Sequence, residues 1–151
     1  MEIQLMSNYT FDNYLESFHL FLEQKKLRKT YERNLIAQTI YESQSHFTFL
    51  SLMEKLHHQK HYISKATLYK TLTMLINAGL VNKHNFSVNA KPQYEKVYIG
   101  NHNHIYMEET SKIIEFSDSR IEEIIKSIEK EYGVVSTRHS FIIYCNAKKE
   151  N

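Results

Sequence analysis

Cysteine is almost missing from this chain of 151 residues, where Cys145 stands alone. One thiol cannot close an intramolecular disulfide, and no CxxC pair is present to hold a zinc knuckle. Proline occurs once and glycine three times, which leaves no flexible linker, low-complexity segment or internal repeat. No apolar run approaches the roughly 20 residues of a membrane span, and no signal-peptide core follows the N-terminus. The expected location is therefore the cytoplasm, with no membrane partner. No phosphate-binding glycine loop and no Ser/Cys–His–Asp grouping is found, so an enzyme is not expected. An excess of one charge is also lacking. A net charge of +2 does not announce a polyanion binder.

What is present is apolar content of 42%, enough for one good core or two small ones. Charge is unevenly spread: residues 1–90 carry ten Lys/Arg against seven Asp/Glu, and residues 91–151 nine against ten. A mildly basic first half and a neutral second half fit a DNA-reading domain joined to an assembly domain. The first half is organised around Ile63–Leu80, ISKATLYKTLTMLINAGL. Ser64 can cap a helix there. Leu68, Leu72, Leu75 and Ile76 recur at helical spacing, and Gly79 suits a left-handed helix end. Off this stripe lie Lys65, Thr67, Tyr69, Lys70 and Thr73, cations and hydroxyls suited to phosphates and base edges. Taken alone, the same helix also reads as an amphipathic surface helix with solvated lysines.

Its surroundings favour the first reading. Asn8–Gln24 has helical spacing at Phe11, Tyr14, Leu15, Phe18 and Leu22. Thr30 can cap Tyr31–Glu42, with Leu35, Ile36, Thr39 and Ile40 inward, and Thr48 can cap Phe49–His58. After Gly79 the period changes to two. Leu80–Phe86, a polar turn at 87–91 and Gln93–Ile99 read as a hairpin. Helices followed by a hairpin make a winged helix-turn-helix over residues 1–92. Residues 93–151 form a small α/β domain: strands at Ile105–Tyr106 and Lys112–Phe116, a helix Ser119–Tyr132 capped by Asp118 or Ser117, and a last strand Val134–Cys145. Ile121, Ile124, Ile125 and Ile128 stripe that helix. The fold class is α+β, and the second domain is too small to bury both sheet faces, so a homodimer is expected.

Candidate chemistry concentrates in Tyr94–His104, YEKVYIGNHNH. In an extended segment His102 and His104 project to one side and can reach one ion. With nine histidines in the chain, two surface imidazoles near a turn read equally well. Glu95 and Glu115 on neighbouring strands would add hard oxygen donors suited to Fe²⁺, Mn²⁺ or Zn²⁺.

LRKTYERNLIAQTIY, SKATLYKTLTMLINAGLV, KHNF, YE, HNH, KIIEFSDSRIEE and RHSFIIY, in this order, resemble the ferric uptake regulator (Fur) family of metal-dependent repressors over nearly the whole chain. The resemblance implies a regulatory metal held by His46, Glu95, His102, His104 and Glu115, clasping the two domains of a dimer that binds double-stranded operator DNA. Fe²⁺ is the implied effector, with Zn²⁺ or Mn²⁺ as alternatives; Glu at 95 and 115 is more like the iron-sensing branch than the peroxide-sensing one. It also implies Tyr69 and Lys70 in the major groove, Arg28 in the minor groove and Arg33 on phosphate. Lys70 stands where arginine is usual, which gives up bidentate geometry.

Two features depart from the family pattern. A second metal site retains Glu122 and His139, but Asn101 and Asn103 replace an imidazole and a carboxylate, so this site should be weak. The structural zinc site is gone, because Met107-Glu108-Glu109-Thr110 replaces the expected CxxC. Packing of Ile105, Tyr106, Ile113, Ile114, Phe116, Ile142 and Ile143 across a dimer would have to substitute for the thiolate site, with Cys145 a small buried hydrophobe. Alternative readings are a metal-independent winged helix with relic ligands and a haem-responsive regulator using His and Cys145 as axial ligands. An HNH nuclease reading fails, since no ββα-metal segment surrounds NHNH.

Overall fold

A computed structural model of the chain describes residues 10–97, 102–136 and 139–148. The chain divides into two compact units, Met1–Ile99 and Gly100–Asn151. The boundary expected at 92/93 falls just before the second strand of the hairpin, which belongs to the first unit.

The first unit contains α1 (Phe11–Gln24), α2 (Tyr31–Tyr41), α3 (Phe49–His58), α4 (Lys65–Asn77) and a hairpin of β1 (Val81–His84) and β2 (Gln93–Lys96). Each helix starts where a hydroxyl can satisfy a first-turn N–H. Thr10, Thr30, Thr48 and Ser64 accept from Asn13, Arg33, Ser51 and Thr67 respectively. The first helix begins at Phe11 rather than Asn8, and Asn8 and Tyr9 lie outside the described residues. Gly79, at φ +72°, follows the end of α4 and turns the chain into the hairpin. Tyr14, Phe18 and Leu22 of α1 pack with Ile36 and Ile40 of α2 and with Leu68, Leu72 and Leu75 of α4 in one buried core. Thr39 and Thr71 are buried with them. Thr39 is satisfied because its hydroxyl donates to the Leu35 carbonyl at 2.9 Å.

Polar contacts fasten the hairpin to the helices. The Tyr14 hydroxyl donates to the Leu80 carbonyl at 3.2 Å. Lys96 Nζ donates to the Tyr41 carbonyl at 2.5 Å and lies 4.2 Å from the centroid of the Tyr41 ring. Register runs from Val81↔Lys96 to His84↔Gln93. The first strand stops at His84, so Asn85 and Phe86 belong to the loop. The second stops at Lys96, although Val97 still donates to the Leu80 carbonyl at 3.0 Å. Tyr98 and Ile99 lie outside the described residues.

The second unit has β3 (Asn103–Met107), β4 (Lys112–Phe116), α5 (Ser119–Tyr132) and β5 (Ile142–Cys145), in strand order β4–β3–β5. β3 pairs antiparallel with β4 and parallel with β5. Asp118 is the N-cap of α5, and Gly133 ends it in a left-handed conformation. The last strand is shorter than the expected Val134–Cys145. Residues 134–136 and 139–141 are not strand, and 137–138 lie outside the described residues. Among the described residues β5 pairs with β3, and the ladder runs from His104↔Ile142 to Met107↔Cys145. Cys145 is only half-buried, with Sγ 3.3 Å from Met107 Sδ. The helix buries none of its residues, and Ile124 is 58% exposed.

Candidate metal centre and nucleic-acid interface

In the first unit, β2 positions the candidate carboxylate. Phe47 and Tyr94 form an antiparallel bridge on the open side of β2, exchanging N–H···O bonds of 2.8 and 2.7 Å. The residues next to that bridge, His46 and Glu95, are thereby cross-strand neighbours. On the other side, Asn82 is opposite Glu95, so His84, two residues along β1, projects from the same face and meets Glu95 diagonally.

Both imidazoles aim Nε2 at the carboxylate. His84 Nε2 is 2.6 Å from Glu95 Oε1 and His46 Nε2 is 3.0 Å from Oε2. Phe86, buried, stacks on the His84 ring at 5.3 Å between centroids and meets His46 edge-on at 6.2 Å. Glu95 is 2% exposed. Beside it on β2, burial pushes the Tyr94 phenol up and the Lys96 ammonium down from their ordinary pKa values.

In the second unit, His102 and His104 project to one side of the β3 segment, their ring centroids 4.9 Å apart. Glu115 is the direct partner of His104 across the β3–β4 ladder. Each unit therefore presents two imidazole nitrogens and a carboxylate whose donor atoms lie within 4.8 Å of one another. Such a nitrogen–oxygen set fits a borderline divalent ion. Three donors leave room for more, since zinc takes four ligands and iron or manganese commonly more.

Glu122 is exposed on α5, and His139 is half-buried. Among the described residues, no grouping of three or more donors includes either of them. Asn101 lies outside the described residues. Asn103 is buried opposite Phe116, and its Oδ1 has no hydrogen-bond partner among the described residues.

Nothing in the sequence pattern singles out His84 as a donor, since its distance from Glu95 along the chain follows no ligand spacing. The β1–β2 register is what joins them.

The residues expected to meet nucleic acid fall on the first unit. Lys65, Tyr69 and Lys70 are exposed on α4, with Tyr69 63% exposed and its ring 6.4 Å from that of Phe49. Thr67 is half-buried and accepts from the Ser64 hydroxyl at 2.9 Å. Arg28 is exposed in the α1–α2 loop, and the half-buried Arg33 donates from its guanidinium to the Arg28 carbonyl. That bond ties the loop carrying Arg28 to the first turn of α2.

No helix among the described residues is long and apolar enough to cross a membrane. The model of the ferric uptake regulator family matches residues 24–144. The ferric uptake regulation protein of Campylobacter jejuni is 32% identical over 152 residues, covering 96% of each chain. The ferric uptake regulator of Pseudomonas aeruginosa, solved with manganese, superposes with a TM-score of 0.77 at 29% identity, over 85% of this chain and 96% of that one. The Vibrio cholerae ferric uptake regulator superposes with a TM-score of 0.67 at 30% identity, over 83% and 96%. A winged helix followed by a small α/β dimerisation domain, matched along nearly its full length, makes this chain a member of the ferric uptake regulator family, whose proteins are metal-responsive transcription regulators and not enzymes.

Proposed function

We propose that this chain is an iron-responsive repressor that binds operator DNA as a dimer. In this reading one divalent ion is held jointly by His46 and Glu95 of the winged-helix unit and by His102, His104 and Glu115 of the second. The observation that carries the proposal is the pair of donor sets, one in each unit, each with two imidazole nitrogens and a carboxylate. Iron is favoured by the ferric uptake relatives and by the choice of glutamate over aspartate at both carboxylate positions.

The ion need not touch DNA. It has only to bind one arrangement of the two units better than others, and that arrangement is the one in which both α4 helices of the dimer reach successive half-sites. Shifting a mostly inactive population to a mostly active one takes roughly 5.5 kcal/mol of differential binding. Several imidazole and carboxylate bonds made in only one arrangement can supply this. On the DNA side, Tyr69 and Lys70 read bases, Arg28 enters the minor groove, and Arg33, Lys65 and Thr67 hold the backbone.

The test is operator binding by the full-length protein with Fe²⁺, with Mn²⁺ and with chelator, alongside metal analysis. His102→Ala is expected to abolish metal-stimulated binding while leaving the dimer intact, and His46→Ala to weaken it somewhat less. His139→Ala should change little. An essential His139 with a dispensable His102 would put the ion elsewhere and overturn the reading. EDTA is expected to leave the helical circular dichroism unchanged, because packing replaces the missing thiolate site.

A further inference from the structure

We propose that His84, carried by the wing, is itself a metal ligand, and that the winged-helix unit binds a divalent transition metal through His46, His84 and Glu95. This inference rests on the metal-sensing reading above but concerns a separate question, namely which donors this unit supplies. Three observations support it.

First, Glu95 sits between two imidazoles that reach it from opposite sides of the same strand. The Phe47↔Tyr94 bridge brings His46, and the β1 register brings His84. Both present Nε2, and each faces a different carboxylate oxygen. Three convergent donors on three backbone segments form a preorganised set, with the loop before α3, β1 and β2 each contributing one.

Second, the set is dry. The His46, His84 and Glu95 side chains are 9%, 14% and 3% exposed. A carboxylate withdrawn from water is costly unless a cation or proton compensates it. Without metal, each Nε2–H donates to the carboxylate. With metal, each imidazole carries its proton on Nδ1 and turns the Nε2 lone pair to the ion. The side chains need little rearrangement to pass between the two states.

Third, Phe86 fixes the His84 ring by stacking and the His46 ring by an edge contact. Rings steadied in this way are oriented as metal-ligating histidines are by their supporting shell. Metal in this set would pin the first wing strand to the loop before α3, so occupancy would act on the wing directly.

The experiment is Co²⁺ titration of full-length protein, followed by the visible d–d bands. In a His102→Ala/His104→Ala background, one Co²⁺ per chain should still bind. Adding His84→Ala should lower the affinity at least about tenfold, the lower end of what losing even a supporting partner costs, and change the bands. His84→Asn keeps an N–H donor for Glu95 but removes the imidazole. It should match His84→Ala in metal affinity while retaining wild-type helical content and thermal midpoint. His84 would be only a hydrogen-bond partner of Glu95, and the proposal overturned, if His84→Asn bound Co²⁺ with the wild-type affinity and bands. Loss of all Co²⁺ binding in the His102→Ala/His104→Ala background would equally overturn it. Operator binding by the wild-type protein with and without metal tests the broader reading independently, since that can fail while the Co²⁺ results hold.

Discussion

The two units use amphipathic helices in opposite ways. In the first, α1, α2 and α4 bury three, four and four residues respectively, and the hairpin closes over them through Leu80 and Val81. In the second, α5 has an equally regular stripe of isoleucines and buries none of them. Ile114 of β4 and Phe141, Ile143 and Tyr144 around β5 are also exposed. A helical apolar period shows that a face wants to leave water, but not in which molecule it does so. The first unit completes its core alone, whereas the second has apolar surface for a second copy to cover, in keeping with a family of dimeric regulators.

The contrast can be tested from its largest expected effect downward. Leu72→Ala opens a cavity in a closed core and should destabilise the first unit by about 3–4 kcal/mol in urea denaturation. A loss below about 1 kcal/mol would mean that this core is looser than it looks. Ile124→Asp combined with Ile128→Asp should raise the dimer dissociation constant at least about 100-fold, or about 2.7 kcal/mol, by analytical ultracentrifugation. The denaturation midpoint of the first unit should not move. If the dimer survives, α5 is not the face the second copy covers.

A smaller effect is expected where a single polar contact is lost. Tyr14→Phe leaves the Leu80 carbonyl without its hydroxyl donor, at a cost of about 1–2 kcal/mol. The same variant should leave the dimer constant unchanged. The smallest effect lies at the start of α5. The hydrogen bond from the Arg120 side chain, more than the one from its backbone N–H, lowers the Asp118 carboxyl to about 2 from an ordinary 3.8. A carboxyl depressed in the folded state adds stability that is present above its unfolded value and lost as pH falls through about 2. Arg120→Ala should return the Asp118 titration part of the way toward 3.8 by NMR, with little change in unfolding at neutral pH.

Much of the local structure was legible along the chain. Thr30, Thr48 and Ser64 are legible as caps because a hydroxyl satisfies an N–H only three residues ahead and needs no distant partner. The extent of α3, Phe49–His58, and the return at Gly79 follow from equally short-range chemistry. His102, His104 and Glu115 could be read together because a strand alternates sides and β4 follows β3 after a four-residue turn. Strand ends were less legible, since β5 is only as long as the stretch of β3 it can pair with.

The placement of His84 was beyond sequence reading altogether. Its chain distance from Glu95 spans a loop of no fixed length, and shifting the hairpin register by one residue would turn Glu95 to the other face. His46 reaches Glu95 through one isolated bridge at Phe47 and Tyr94, which no local pattern announces. Side-chain period, capping and chain reversals are written within a few neighbouring residues. Which imidazoles share a carboxylate depends on pairings between segments far apart in the chain, and those are settled only when the whole core closes.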